Sequence, residues 1–289
     1  MSRLLWRGGL RAATALTRAL GPLRYPAADG FALGLWALQG QRRRRTARNH
    51  QRADPAIDGG EARRRARQSF REYARTTIDF VWTNAMDLDE VRRRTVVRGK
   101  EHIDGARGGG RGGILALAHF GSWDMGANIA RAHGVEVTTV MGPIGSRGFT
   151  ELVAWARERN HLEVFPPDNA ARGLLRALRS GRFVALLCDI PGGGPSVVVE
   201  FCGGPVSFSS VPAWLALRTG SVLLPIECWR TGARDTYEIN VHPPLVPEPG
   251  EDEAAVTQRL AAVLERAIRR QPGQWYPFGH VYVGDGDAP

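Results

Sequence analysis

The sequence predicts an α/β protein in which helices flank a central, mostly parallel or mixed sheet and a unit made only of helices comes first. After a glycine-rich stretch at residues 105–113, short apolar runs alternate with segments of helical length. Such alternation is typical of strands and helices that build one sheet. Before residue 95, apolar residues recur at helical spacing. We therefore expect a helical domain at residues 1–95 and an α/β domain at residues 96–289.

The first predicted helix, residues 3–20, has two different faces. Arg3, Arg7 and Arg11 recur every fourth residue, and leucines occupy the other side. A basic face opposite an apolar face is typical of a helix that lies in a membrane interface, although a helix packing on its own domain shows the same pattern. Two further helices are expected at residues 27–38 and 61–82. We expect this helical unit to face a membrane.

The net charge of +10 is concentrated in the N-terminal third of the chain. Residues 1–100 contain 22 Lys and Arg against 9 Asp and Glu, whereas the remainder contains 17 against 20. This asymmetry indicates a polyanionic surface, either anionic lipid or nucleic acid. No zinc knuckle, aromatic RNA-binding signature or helix-turn-helix pattern accompanies the arginine runs. We therefore expect anionic membrane lipids as partners and no nucleic acid.

The sequence shows no pattern typical of a membrane span, a signal peptide, a disulfide framework or a metal site. No apolar run approaches the roughly 20 residues of a spanning helix, and arginines interrupt the N-terminal apolar residues. The three cysteines form no C-x-x-C pair, and the seven histidines have no metal-ligand spacing. We expect a peripheral protein on the cytoplasmic face of the cell membrane, with no metal and no cofactor.

The α/β region is divided by strand and helix patterns. Strands are expected at residues 114–118, 135–140, 163–165, 183–188, 197–201, 222–228 and 237–241. Helices are expected at residues 123–133, 147–160, 169–180, 209–219 and 253–270. Alternation of this kind places helices on both faces of the sheet.

The segment from Leu115 to Asp124 is the most informative for chemistry. An apolar strand ends on His119, passes Gly121 and enters a helix with Asp124 near its start. Ligands bind at the carboxyl edge of strands in open α/β sheets. A strand–turn–helix path can bring the Asp124 carboxylate onto the His119 imidazole, which would orient the ring as a general base. Taken alone, a histidine at a strand end is more often structural.

This arrangement resembles the lipid A biosynthesis acyltransferase family, which includes the lauroyl and myristoyl transferases and phosphatidylinositol mannoside acyltransferase. The resemblance rests on an H-x4-D motif and on an ordered set of further segments. These segments are Val97–Asp104, Leu186–Asp189, Ser196–Pro205, Leu215–Pro225 and Gln274–Tyr276. Together they cover most of the chain.

The resemblance implies transfer of an acyl group from acyl-CoA or acyl carrier protein, as co-substrate, to a hydroxyl of a glycolipid. His119 would be the base and Asp124 its orienting partner, with direct attack and no acyl-enzyme. The residues themselves agree on the last point, because no G-x-S-x-G elbow is present. A lysophospholipid is the alternative acceptor.

Four further residues are candidates for the site. The resemblance implies that Glu200 approaches His119, although a solvent-facing strand residue is equally compatible with its position. Asp189 ends a buried strand at the same sheet edge, where it could bind substrate or cap a helix. Arg159 could neutralise phosphates of the donor or be a solvated helix charge. Gly121 is expected to line the substrate site.

These assignments predict a particular arrangement around His119. We expect it in a groove at the carboxyl edge of the sheet, with Asp124 in hydrogen-bond contact and with Asp189 and Glu200 nearby. Apolar side chains should line one end of the groove and arginines the other, because a long acyl chain and an ionic headgroup must meet at one base.

Overall fold

The computed structural model describes residues 3–83, 86–110, 112–190, 194–232 and 235–284. Helices are α1 (Arg3–Ala19), α2 (Arg24–Leu38), α3 (Gly40–Ala53), α4 (Gly59–Trp82), α5 (Leu88–Arg94), α6 (Lys100–Gly108), α7 (Trp123–Ala132), α8 (Arg147–Arg159), α9 (Ala170–Arg179), α10 (Val211–Thr219) and α11 (Glu253–Arg270). Strands are β1 (Thr95–Arg98), β2 (Ile114–Leu117), β3 (Val137–Val140), β4 (Glu163–Phe165), β5 (Phe183–Leu187), β6 (Ser196–Phe201), β7 (Gly204–Ser209), β8 (Leu223–Arg230) and β9 (Tyr237–Val241). Short 3₁₀ turns occupy Gly21–Leu23, Pro167–Asn169 and Pro272–Gln274.

Seven strands form one sheet in the order β1-β9-β8-β2-β5-β3-β4. The pairs β8–β2, β2–β5, β5–β3 and β3–β4 are parallel, β8–β9 is antiparallel, and β1 runs parallel to β9. The predicted α/β architecture with a mostly parallel, mixed sheet is therefore confirmed. Strand β2 lies at the centre with all four residues buried, so the segment that follows it emerges from the middle of the carboxyl edge.

Helices cover both faces of the sheet. On one face, α9, α10 and α11 build a core with β2, β5 and the hairpin β6–β7. On the other face, side chains of α6 and α7 join those of β2, β8 and β9 in two smaller apolar clusters. The hairpin forms a separate two-stranded sheet.

The predicted helices at residues 3–20, 27–38 and 61–82 are present as α1, α2 and α4. Helix α3 was not expected, because its sequence is arginine-rich and nearly devoid of apolar periodicity; it buries the polar residues Thr46, Asn49 and His50 instead. Helix α6, which was not predicted, runs into the glycine-rich stretch at residues 105–113. Strand β7 contains Gly204 and Pro205, which conceal a strand pattern.

A buried ion-pair network attaches α4 to the sheet. Arg230 at the end of β8 pairs with Asp79 and, at 3.4 Å, with Glu72 of α4. Asp79 also accepts hydrogen bonds from the Tyr25 hydroxyl (2.9 Å) and from the Trp82 indole (3.1 Å). The helical region is therefore tied to the α/β region by charge as well as by packing, and the division into two domains stays a prediction.

Candidate active site

The turn after β2 places His119 at the carboxyl edge of the sheet. Gly121 has φ +63°, and a Cβ there would lie 2.0 Å from the Cys228 carbonyl oxygen, so only glycine fits. The Gly121 N–H donates to Gln274 O (2.8 Å), and its carbonyl accepts from the Tyr276 hydroxyl (3.0 Å). Gly121 thus positions the turn, and Gln274 and Tyr276 hold it in place; that Gly121 lines the substrate site stays a prediction.

Asp189 is the carboxylate that binds the imidazole. Its Oδ1 lies 2.8 Å from His119 Nδ1, and its two oxygens accept from the His119 backbone N–H at 2.9 and 3.0 Å. The contact follows from strand register: Leu117 of β2 is opposite Leu187 of β5, so the residues two positions further along each strand meet. Asp189 therefore lies at the carboxyl edge of the sheet near His119, as expected. Its direct hydrogen bond to the imidazole was not predicted.

Asp124 does not contact the imidazole, and this part of the predicted geometry was wrong. Its carboxylate instead pairs with Arg157 of α8, at 2.9 Å from Nε and 3.4 Å from Nη2. No hydrogen bond joins Asp124 to His119 in the part of the chain that the structure describes. Asp124 belongs to the first turn of α7, and its side chain is directed towards α8. Arg157 carried no recognisable signal in the sequence.

The hydrogen bond with Asp189 selects the tautomer of the neutral imidazole. A carboxylate accepts hydrogen bonds, so in the neutral ring Nδ1 carries the proton and Nε2 keeps its lone pair. Nε2 makes no hydrogen bond to any described residue, and the His119 side chain is 28% exposed. A base of this kind is available to an incoming hydroxyl group.

Opposing effects act on the pKa of His119. Burial lowers the pKa and Arg157 lowers it further, but the Asp189 carboxylate and its hydrogen bond outweigh them, so the pKa lies above the ordinary value of 6.5. Asp124 adds a smaller raising effect. The Asp189 carboxylate thus makes the imidazole a stronger base.

An apolar cavity lies beneath α7 on the face opposite the hairpin. Its volume is about 1030 Å³, including space open to solvent. The apolar lining comes from Leu115, Leu117, Gly126, Ala127, Ile129, Ala130, Val135, Val137, Ala185, Leu187, Ile226, Ile239 and Val241. Asp124, Arg157 and Trp123 line it at the carboxyl edge, and Lys100, Asp104 and Arg107 line it at the opposite edge. Charged groups therefore stand at both ends rather than at one.

We had expected His119 in the groove itself, but it lies beside this cavity and is not part of its lining. The Trp123 ring connects the two: it lines the cavity, and its centroid is 5.4 Å from that of the His119 ring. The His119 imidazole and the apolar cavity therefore both adjoin the Trp123 ring, so the cavity lies next to the imidazole.

Two further predicted site residues lie elsewhere. Glu200 is exposed on the hairpin, where its backbone bonds the Gln258 side chain of α11 (2.8 and 2.9 Å). The prediction that it approaches His119 was wrong, because β6 belongs to the separate hairpin and not to the main sheet. Arg159 is exposed on α8, over the Trp155 ring at 5.1 Å and beside Arg11 of α1. A role in phosphate binding stays a prediction.

The described residues contain no group of three or more His, Cys, Asp or Glu side chains placed to hold a metal ion. Cys188, Cys202 and Cys228 are free and buried, and burial raises the pKa of the Cys188 thiol. They act as small apolar residues, as interpreted from the sequence.

The family model for bacterial lipid A biosynthesis acyltransferases matches residues 12–280. This chain belongs to that family. Acyltransferase is therefore its enzyme class, and the predicted recognition is confirmed.

Several curated members of the acyltransferase family are similar to this chain. The phosphatidylinositol mannoside acyltransferase of Mycobacterium tuberculosis (strain CDC 1551 / Oshkosh) is 33% identical over 195 residues, which cover 66% of this acyltransferase and 60% of that protein. The protein of the same name from Mycolicibacterium smegmatis is 30% identical over 224 residues, covering 76% and 72%. The lipid A biosynthesis lauroyltransferase of Escherichia coli is 25% identical over 256 residues, covering 85% and 81%.

If Asp189 rather than Asp124 tunes the base, the two carboxylates should affect the pH profile differently. In the native enzyme kcat/KM should fall as acid protonates His119, around a pKa above 6.5. Asp189→Asn removes the main raising effect, so the acid limb should move to lower pH while the rate falls. Asp124→Asn should move it less, in the same direction. An equal or larger displacement in the Asp124→Asn enzyme would contradict this assignment.

Proposed function

We propose that this acyltransferase transfers a fatty acyl group from acyl-CoA or acyl carrier protein to a hydroxyl of a membrane glycolipid similar to a phosphatidylinositol mannoside. The observation that carries the proposal is the pairing of His119 with Asp189 beside an apolar cavity. The base supplies proton transfer, and the cavity offers an apolar site for a fatty acyl chain. The names of the mycobacterial relatives support the choice of acceptor class.

The proposed reaction proceeds by direct attack. Nε2 of His119 takes the proton of the acceptor hydroxyl while its oxygen bonds to the thioester carbon. Asp189 stabilises the imidazolium that forms. The tetrahedral intermediate then expels the thiolate, which takes the proton from Nε2, so that ester and thiol are the products.

Arg157 is the group best placed to stabilise negative charge in this reaction. Its guanidinium lines the cavity beside Trp123 and is close enough to His119 to lower the pKa of the imidazole. Asp124 binds two of its nitrogens and so holds the cation in place. We propose that Asp124 acts by positioning Arg157, which preorganises a positive charge for the oxyanion.

The reaction can be tested with purified enzyme, radiolabelled hexadecanoyl-CoA and separate acceptors. Labelled product should form with a phosphatidylinositol mannoside. A lysophospholipid is the comparison acceptor, because its glycerol hydroxyl represents the alternative function. Faster transfer to the lysophospholipid would favour that alternative. If neither labelled hexadecanoyl-CoA nor labelled hexadecanoyl-acyl carrier protein gave labelled lipid with any of the acceptors, both functions would be contradicted.

We further propose that the enzyme attaches peripherally to the anionic cytoplasmic surface of the membrane, where acyl thioesters are available. No helix among the described residues is long and apolar enough to cross a bilayer. Helix α2 exposes Phe31 (63%) and Leu38 (85%), and the arginines of α3 follow directly. On α1, Leu10 is buried against α8, and the side chains of Arg3 and Arg7 lie outside the described residues. Leu16 of α1 is exposed as well, so exposed apolar side chains that support attachment lie on both helices.

Vesicle binding tests this attachment. Vesicles rich in anionic lipid should bind the enzyme more strongly than neutral ones, and binding should weaken as salt screens the arginines. The double variant Phe31→Ser/Leu38→Ser should bind less, because it removes apolar area that would enter the interface. Leu217→Ser on α10, 40% exposed, is the control and should bind like the native enzyme. If neither added salt nor the Phe31→Ser/Leu38→Ser change weakened binding, the proposal would be refuted.

A further inference from the structure

Four aromatic rings form a continuous strip that starts at His119 and leads away from the cavity. We call Trp123, Tyr276, Tyr73 and Phe278 the aromatic strip. The Trp123 ring lies 5.4 Å from that of His119 and 6.0 Å from that of Tyr276. Tyr73 continues the strip at 5.3 Å from Tyr276 and 5.2 Å from Phe278. Its members come from α4, α7 and the segment after the last 3₁₀ turn, so only the fold brings them together.

The strip is partly open to solvent. Tyr73 is 42% exposed, an unusual fraction for a tyrosine whose ring contacts two other aromatic rings. Its hydroxyl makes no hydrogen bond within the described part of the chain. Trp123 and Phe278 are half-buried, whereas Tyr276 is buried and supports the turn at Gly121. Tyr73 is thus the ring of the strip most accessible to a ligand.

A cation stands at the far end of the strip. The Arg42 guanidinium lies 5.2 Å from the centre of the Phe278 ring and is exposed. Its one hydrogen bond among the described residues goes to the Gln39 amide oxygen, at 3.1 Å. No described carboxylate pairs with it. A guanidinium without an acidic partner is a ready site for a phosphate group.

Trp123 lines the cavity, whereas Tyr276, Tyr73 and Phe278 do not. If the acyl chain fills the cavity, as the proposed function requires, the acceptor must reach Nε2 by another route. We propose that the aromatic strip and Arg42 bind the headgroup of an anionic glycolipid acceptor. One apolar face of a sugar ring would lie on Tyr73, and the phosphodiester would pair with Arg42.

This proposal rests on the proposed function and is tested by changes that leave the base intact. Tyr73→Ala should raise the KM for a phosphatidylinositol mannoside about twofold to tenfold, the range expected for loss of one ring contact. Tyr73→Phe retains the ring and should behave like the native enzyme. Arg42→Gln should also raise this KM, and its effect should shrink as salt is added. The KM for hexadecanoyl-CoA should not change in any of these variants.

Two measurements separate failure of this proposal from failure of the proposed function. Hydrolysis of hexadecanoyl-CoA without acceptor should depend on His119 and be unchanged in Leu217→Ala; its absence from the native enzyme together with absence of transfer would count against the function itself. Leu217→Ala is the control for loss of an equally exposed side chain. The strip would not be a sugar site if the Tyr73→Ala enzyme were active and its KM for the phosphatidylinositol mannoside were unchanged. The same conclusion would follow if its KM rose equally for a lysophospholipid, which lacks a sugar.

Discussion

Replacing His119 with alanine is expected to slow acyl transfer on the order of 10²–10⁴-fold, the usual contribution of a general base. The variant loses the imidazole whose Nδ1 is hydrogen-bonded to the Asp189 carboxylate and whose Nε2 is the proposed proton acceptor. Substrate affinity should change little, because the imidazole acts on a proton rather than on the acyl chain. The effect should therefore appear in kcat and be equally large in kcat/KM.

The matched control for this experiment is His102→Ala. His102 is half-buried on α6, is not part of the cavity lining and takes no part in the proposed proton transfer. Its replacement should leave turnover near the native value. A folded His119→Ala enzyme that turns over at the native rate would remove the basis for the mechanism.

The second large effect concerns stability. Arg230→Met should lower the free energy of unfolding by about 3–5 kcal/mol, the usual cost of removing one partner of a buried ion pair. Arg230 and Asp79 are almost fully buried, at 2% and 1% side-chain exposure. Their desolvation is tolerated because each compensates the other, and methionine would leave the Asp79 charge in an apolar surrounding. Urea unfolding followed by circular dichroism measures the change.

Arg98→Met provides the comparison, because Arg98 and Glu238 form an ion pair with an exposed arginine at the sheet edge. An exposed pair contributes at most about 1 kcal/mol. If Arg230→Met and Arg98→Met lowered the free energy of unfolding by the same small amount, the Arg230 network would not be what stabilises the packing of α4 on the sheet.

Local patterns in the sequence predicted most of the secondary structure and the chemical centre. Helical periodicity identified α1, α2 and α4, and short apolar runs identified strands such as β2 and β5. These patterns can be recognised in the sequence because a helix or strand that buries one face must repeat its apolar residues at a fixed period. His119 could be found in the same way, since a polar residue that directly ends a buried strand stands at a sheet edge whatever the strand order.

The partners of His119 were decided by tertiary structure. Asp124 is close in sequence, yet the helix that begins at Trp123 carries its carboxylate to Arg157. Asp189 is 70 residues away, yet the parallel register of β5 with β2 sets it against the imidazole. Glu200 was misplaced for the same reason, because nothing in its local sequence reveals that β6 leaves the main sheet.

The sequence by itself therefore determined the fold class, most of the strands and helices, the acyltransferase resemblance and the position of His119. The tertiary structure decided which carboxylate binds the His119 imidazole, where the apolar cavity runs and which aromatic rings adjoin the site. Local periodicity depends only on neighbouring residues, whereas strand order and register depend on packing between segments far apart in the chain.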